Sequence, residues 1–303
     1  MEKDKPPIHP YLALLIGVSA VSTAAIFVKL SSAPASVIAT YRLVFAVLLM
    51  TPVIVTKYRR EWAQVSRRDW MICAGAGVFL AFHFIFWFGS LEYTSVASSV
   101  VLVALQPIFA FLGTYLFFHE KWTLKTMAGG VLAIIGSMII SWGDFQASGT
   151  ALWGDIMAVI GAIMVTVYFL LGQNARKRLS LMMYTYLVYG MASMVLFSYD
   201  FAFGEAVGGY PAKDWLIFLG LAVIPTLLGH TIFNGIIRWV STSVVSTSIL
   251  GEPIGATILA YFILNEAIKL SQWIGGAVIL LGIYVFLASY QAHRKKMRRK
   301  LSA

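Results

Sequence analysis

The feature that most constrains this chain is the separation of its charge from its apolar residues. Stretches of about 20 mainly apolar residues recur along its length, and the charged residues crowd into the short links between them. A helix needs about 20 such residues to cross the hydrocarbon layer of a bilayer. Ten stretches qualify, at about 10–29, 35–56, 70–90, 94–118, 125–142, 151–171, 182–203, 214–237, 241–264 and 270–290. Charged residues are 12% of the 303 and apolar residues 59%, against about 25% and about 45–50% in a soluble domain. That balance excludes a soluble enzyme, a nucleic-acid-binding domain and a disordered chain. Barrel strands alternate apolar and polar residues, whereas 131–140 and 277–287 are apolar all round. The expected fold class is an all-α integral membrane protein with ten transmembrane helices. The first stretch exceeds the roughly 7–15 apolar residues of a signal-peptide core and is expected to be a retained helix. The lone Cys73 leaves no disulfide framework and no cysteine-based zinc site.

The basic residues set the orientation. With the N-terminus in the cytoplasm, nineteen of the 23 lysines and arginines fall inside, Lys213 and Lys269 fall outside, and Lys29 and Arg42 lie in or near the membrane. An even span count with both termini cytoplasmic preserves this asymmetry; a flip or a lost span destroys it. The net charge of +10, including the tail 293–300, then reads as a positive-inside anchor beside anionic lipid, with no nucleic-acid partner.

The chain also repeats itself. A shift of 146 lays 107–136 on 253–282 with identities at Pro107/Pro253, Ile108/Ile254, Ala110/Ala256, Tyr115/Tyr261, Glu120/Glu266, Leu124/Leu270, Gly129/Gly275, Gly130/Gly276 and Gly136/Gly282. With a two-residue gap, 95–99 matches 243–247. Two halves follow, 1–148 and 149–303, each of five spans, the second ending in the basic tail. Because five is odd, the halves enter the membrane from opposite sides. Inverted repeats of this kind build alternating-access carriers, with the substrate site near the midplane between the halves.

Both halves resemble the EamA-type repeat of the drug/metabolite transporter superfamily. In that pattern a small-residue helix with a central proline ends in a glutamate and is followed by a glycine-rich helix, as in Pro107…Glu120…Gly129-Gly130…Gly136 and Pro253…Glu266…Gly275-Gly276…Gly282. Lys29 and Arg42 also fit. The resemblance covers nearly the whole chain and implies a ten-helix plasma-membrane carrier, usually an exporter. The superfamily's substrates range over amino acids, other metabolites and drugs, with nucleotide sugars and sugar phosphates among relatives.

Several residues are candidates for substrate binding or coupling. Glu252 lies mid-span in Gly251-Glu252-Pro253. A carboxylate at that depth costs at least about 2.5 kcal/mol, and Pro253 frees a carbonyl four residues back, so a local opening of the helix is expected. Glu252 could bind a proton, a substrate amino group or an arginine of the other half; the structural alternative is satisfaction by neighbouring serines. Gln106, at the equivalent place before Pro107, can recognise a carboxylate or amide or serve as helix–helix glue. His83 with Trp87, and His230 with Asn234 beyond a kink expected at Pro225, form two i, i+4 pairs that can each face a cavity. Arg42 needs a partner: a substrate carboxylate, Glu92 or helix C-terminal carbonyls. Lys29 is expected to snorkel outward. Glu120 and Glu266 end spans four and nine on opposite faces, as symmetric gate or cap residues. Tyr41, Phe82, Trp87, Tyr168 and Tyr189 are deep enough to line a pocket, and Gly251 with Gly255 lets the helix around Glu252 pack closely.

These features point to a secondary carrier that exports a small metabolite, such as an amino acid or drug-like compound, with protons at Glu252 as the candidate coupling ion. No phosphate-binding loop is present, so the energy must come from an ion gradient or the substrate's own gradient. The expected partners are a small-molecule substrate and the lipid bilayer; a homodimer is left open, and neither a cofactor nor a metal is expected. A lipid-carrier flippase of the same fold is the alternative. An intramembrane enzyme is disfavoured because the ionisable residues are scattered singly over several spans.

Overall fold

The computed structural model describes residues 8–94, 96–140, 149–265 and 267–302. Glu266, expected at a gate or cap, lies outside them. Helices α1 (Pro10–Val21) and α2 (Ala24–Leu30) share the first span, interrupted where the hydroxyls of Ser22 and Thr23 turn back onto the carbonyls of Val18 and Ala20. Then follow α3 (Ala35–Lys57), the short α4 (Arg59–Gln64) and α5 (Arg67–Tyr93). The fourth span is split into α6 (Val96–Val103) and α7 (Gln106–Phe118), and α8 (Leu124–Ile140) follows. The remaining helices are α9 (Thr150–Ala175), α10 (Leu181–Ala202), α11 (Ala212–Leu221), a π-helix (Ala222–His230), α12 (Thr231–Ile236), α13 (Thr242–Ile249), α14 (Glu252–Leu264) and α15 (Leu270–Ser302).

Among the described residues, helices occupy most of each of the ten expected stretches. Among the described residues, nine helical segments are long and apolar enough to cross a membrane, while Leu124–Ile140 is shorter, at 17 residues. Among the described residues no strand occurs.

The breaks have local causes. Pro107 and Pro253 lie at the starts of α7 and α14, where a missing N–H costs nothing but the preceding turn cannot continue. Both half-helices end on a left-handed residue, His119 (φ 53°) and Asn265 (φ 56°), which the 146-residue shift also superimposes. In the eighth span Pro225 produces a π-helix rather than a simple kink, and Thr226 Oγ1 donates to the Leu221 carbonyl at 2.8 Å. A π-turn of this kind absorbs the lost backbone bond without ending the helix.

Between helices in lipid there is no hydrophobic driving force, so close packing and hydrogen bonds hold them. The repeated glycines supply the closest contact. A Cβ on Gly129 would lie 2.9 Å from the Gly282 carbonyl, and one on Gly275 would lie 2.6 Å from the Gly136 carbonyl. Helices α8 and α15 therefore run antiparallel with their glycines in crossed pairs. The seam is extended by Ser289, whose hydroxyl is 2.9 Å from that of Thr126.

The two ends of the bundle are tied differently. At the end away from most of the basic residues, the Asp214 carboxylate accepts from the hydroxyls of Ser31 (2.7 Å) and Ser32 (2.6 Å) and the Ser32 amide (3.0 Å). Nearby, Thr40 donates to Asp200 at 2.6 Å. At the basic end Arg178 pairs with Asp69, and Glu61 accepts from the Ser180 amide at 2.7 Å.

Candidate functional site

Gln106 and Glu252 are the first residues of α7 and α14. Two helix N-termini therefore meet near the middle of the bundle, each carrying a partial positive charge that favours anionic groups. Around them lies a small cavity of about 20 Å³, whose lining includes Arg42, His83, Trp87, Gln106, His230 and Glu252. That is room for a single water. Residues scattered over five spans are thus brought to one point.

Arg42 is fully buried. Its Nε donates to Thr226 Oγ1 at 2.6 Å, and its guanidinium carbon sits 4.3 Å above the Phe84 ring. Neither Nη1 nor Nη2 has a partner. None of the protein partners expected for it is used: it binds a hydroxyl and an aromatic face, and Glu92 is exposed. Glu252 faces the same cavity, yet no salt bridge joins it to Arg42. Its backbone carbonyl accepts from the Ser22 hydroxyl at 3.3 Å, and no described side chain hydrogen-bonds its carboxylate. The expected serine partners therefore reach only its backbone.

The surrounding groups are similarly unspent. Gln106 Oε1, Trp87 Nε1 and His230 Nδ1 are buried without hydrogen-bond partners. His83 is held by Nδ1 against the Gly161 carbonyl at 2.9 Å and stacks on Trp87 with centroids 5.4 Å apart. The rings of His83 and His230, from the third span of each half, lie 6.3 Å apart. Buried polar groups are nearly always paired, and the residues lining this one cavity carry five unpaired polar atoms that could still take hydrogen bonds. Donors cluster on Arg42 and Trp87, acceptors on Gln106 and Glu252.

Asn234 and Tyr168 stand one layer back. Asn234 Nδ2 donates to the Tyr168 hydroxyl and to the His230 carbonyl (2.8 Å), so the pair braces His230 rather than lining the cavity. Of the other aromatics expected in a pocket, only Trp87 lines it. Tyr189 is buried against Thr231 at 3.0 Å, Tyr41 stacks on Phe218 and donates to the Val207 carbonyl, and Phe82 faces outward, 38% exposed. Lys29 Nζ donates to the Leu91 carbonyl at 3.3 Å, near the C-terminal end of α5.

A larger basin of about 370 Å³ opens at the basic end, lined by Glu120, Lys121, Lys177, Arg238 and His293 among others. Gln173 forms part of its wall. Its Oε1 accepts from the amide (2.8 Å) and hydroxyl (2.7 Å) of Thr242, and its Nε2 reaches Glu120 Oε1 at 3.5 Å. Gln173 thereby caps α13 and links it to α9 and the end of α7. Neither Gln173 nor Thr226 stands out in sequence: each is a common polar residue whose importance comes from partners 69 and 184 positions away.

The sequence profile of the EamA-like transporter family matches twice, over residues 9–142 and 152–288. An uncharacterized transporter of Archaeoglobus fulgidus is 25% identical over 273 residues, which is 90% of this chain and 94% of that protein. An uncharacterized transporter of Bacillus subtilis is 27% identical over 230 residues, 75% of this chain and 72% of the relative. A solved crystal structure superposes with a TM-score of 0.76 at 17% identity, covering 94% of this chain and 98% of the other.

Proposed function

Because the chain belongs to the EamA-like transporter family, and is therefore a multi-pass membrane transporter, we propose that it is a secondary alternating-access carrier exporting a small zwitterion of the amino-acid class. The observation that carries the proposal is the meeting of Arg42, with two unpartnered nitrogens, and Glu252 at one small cavity without an ion pair between them. The spare Nη groups of Arg42 form a planar fork matched to a carboxylate, with Trp87 Nε1 as a further donor. Glu252 and Gln106 Oε1 offer acceptors to an ammonium group.

A cavity of about 20 Å³ cannot hold such a substrate, so transport requires the halves to part. The Asp214–serine knot at one end and the Gln173–Thr242 clamp at the other are the closures that would open in turn. With the N- and C-termini in the cytoplasm of a plasma-membrane protein, the basin beside Gln173 is the cytoplasmic entrance. Glu252 couples transport by holding a proton whenever no ammonium occupies it, so that protons return as substrate leaves.

Metabolite profiling of cells overproducing the protein, cytosol against medium, names the substrate. Counterflow of that compound in proteoliposomes then tests the mechanism, with Glu252→Gln expected to bind more weakly and to lose acceleration by an imposed pH gradient. Equal acceleration in parent and variant would remove Glu252 from coupling.

A further inference from the structure

A third cavity lies on the lipid-facing side of the bundle, away from the substrate site. It is a groove of about 370 Å³ between α3 and α10, walled by Val47, Leu48, Leu187 and Met194 and bounded toward the basic end by Trp62 and Trp70. From Tyr186 to Met194, α10 rises by eight steps of 1.5 Å, about 12 Å. Polar atoms on the walls are spent internally: Ser193 donates to the Tyr189 carbonyl at 2.7 Å, and the Tyr186 hydroxyl lies 3.2 Å from that of Thr51. At the middle of the groove is Gly190, where a Cβ would meet nothing within 4 Å.

The charge at its mouth is one-sided. Arg59, Arg60, Arg67 and Arg68 are exposed, and none makes an ion pair or side-chain hydrogen bond among the described contacts. The neighbouring acids are already committed, Glu61 to the Ser180 amide and Asp69 to Ser66 and Arg178. Trp62 packs edge-on against Trp70 (5.6 Å) and Tyr186 (5.9 Å), the aromatic arrangement that marks a headgroup level.

We propose that this groove is a binding site for an anionic phospholipid of the leaflet at the basic end, with one acyl chain lying along α10 past Gly190 and the phosphate held by the arginines flanking Trp62 and Trp70. An acyl chain fits a dry slot of this length in a bilayer. The anionic class follows from four arginine forks with no acid left to pair them, since arginine binds phosphate in a bidentate manner. The site is independent of the substrate's identity.

Native mass spectrometry of the full chain, titrated with dioleoyl phosphatidylglycerol or dioleoyl phosphatidylcholine, tests it. The parent is expected to bind one phosphatidylglycerol at least about tenfold more tightly than phosphatidylcholine, because each basic residue near an anionic surface adds several-fold affinity. Replacing the four arginines by glutamine should bring phosphatidylglycerol down to the phosphatidylcholine level. Gly190→Leu, which fills open space, should weaken both lipids. Quenching of tryptophan fluorescence by phosphatidylglycerol brominated in mid-chain, lost in the Trp62→Phe/Trp70→Phe variant, checks the site without altering Gly190. No preference for phosphatidylglycerol in the parent overturns the proposal. So does a preference that vanishes with the arginines but survives Gly190→Leu at parental affinity, which would mean headgroup adsorption on the surface alone.

Discussion

Replacing Arg42 by methionine separates a substrate-binding arginine from a structural one, because the two roles predict different stabilities. The substitution removes one hydrogen bond from a charged donor to Thr226 at 2.6 Å and the stacking on Phe84 at 4.3 Å. Those are worth about 1.5–3 kcal/mol and about 2 kcal/mol. It also removes a fully buried guanidinium with two unpartnered nitrogens, whose effective desolvation penalty is itself several kcal/mol. The terms nearly cancel, so unfolding stability in detergent should change by no more than about 2 kcal/mol, in either direction. A buried ion pair deprived of one partner would instead lose about 3–5 kcal/mol. Binding should respond oppositely: losing charge-assisted bonds to a substrate carboxylate costs about 1.5–3 kcal/mol, or roughly 10- to 150-fold in the half-saturation concentration for counterflow. Denaturant titration of the purified variant and counterflow in proteoliposomes measure the two quantities. A stability loss above about 3 kcal/mol with unchanged half-saturation would refute a ligand role for Arg42.

Other expectations follow from particular contacts. Gly275→Ala places a methyl group 2.6 Å from the Gly136 carbonyl and should lower stability by about 1–3 kcal/mol through overpacking. Gly190→Ala meets no atom within 4 Å and should raise stability by up to about 1 kcal/mol through helix propensity; equal melting shifts for the two alanines would contradict the α8–α15 seam. Asp214→Asn weakens a carboxylate that accepts three bonds from Ser31 and Ser32, so cysteines placed at Ser31 or Ser32 should react faster with a membrane-impermeant maleimide. The native Cys73 is fully buried and gives a low background. Gln173→Ala unties Thr242 from α9 and should increase labelling of a cysteine at Ser241, a basin-lining position; unchanged labelling would show that Gln173 is no closure.

What the sequence determined by itself was everything carried by local pattern. Apolar length located the spans, the 146-residue shift paired Gly129 with Gly275 and Gly136 with Gly282, and Pro107 and Pro253 marked where two helices break. Glu252 and Gln106 were conspicuous because a polar residue at membrane depth has to be accounted for within the bundle. The tertiary structure decided which polar groups meet. It set Arg42 against Thr226 and Phe84 rather than Glu92, moved Tyr168 and Asn234 one layer behind His230, turned Phe82 outward, and made Gln173 the link to Thr242. It also left Gly190 facing open space while Gly136 faces a backbone, though both are glycines within apolar helices. The division has one physical reason. Burial in lipid and helix breaking depend on a residue and its near neighbours, whereas the partner of a buried polar group depends on the rotation and crossing of helices that only their joint packing fixes.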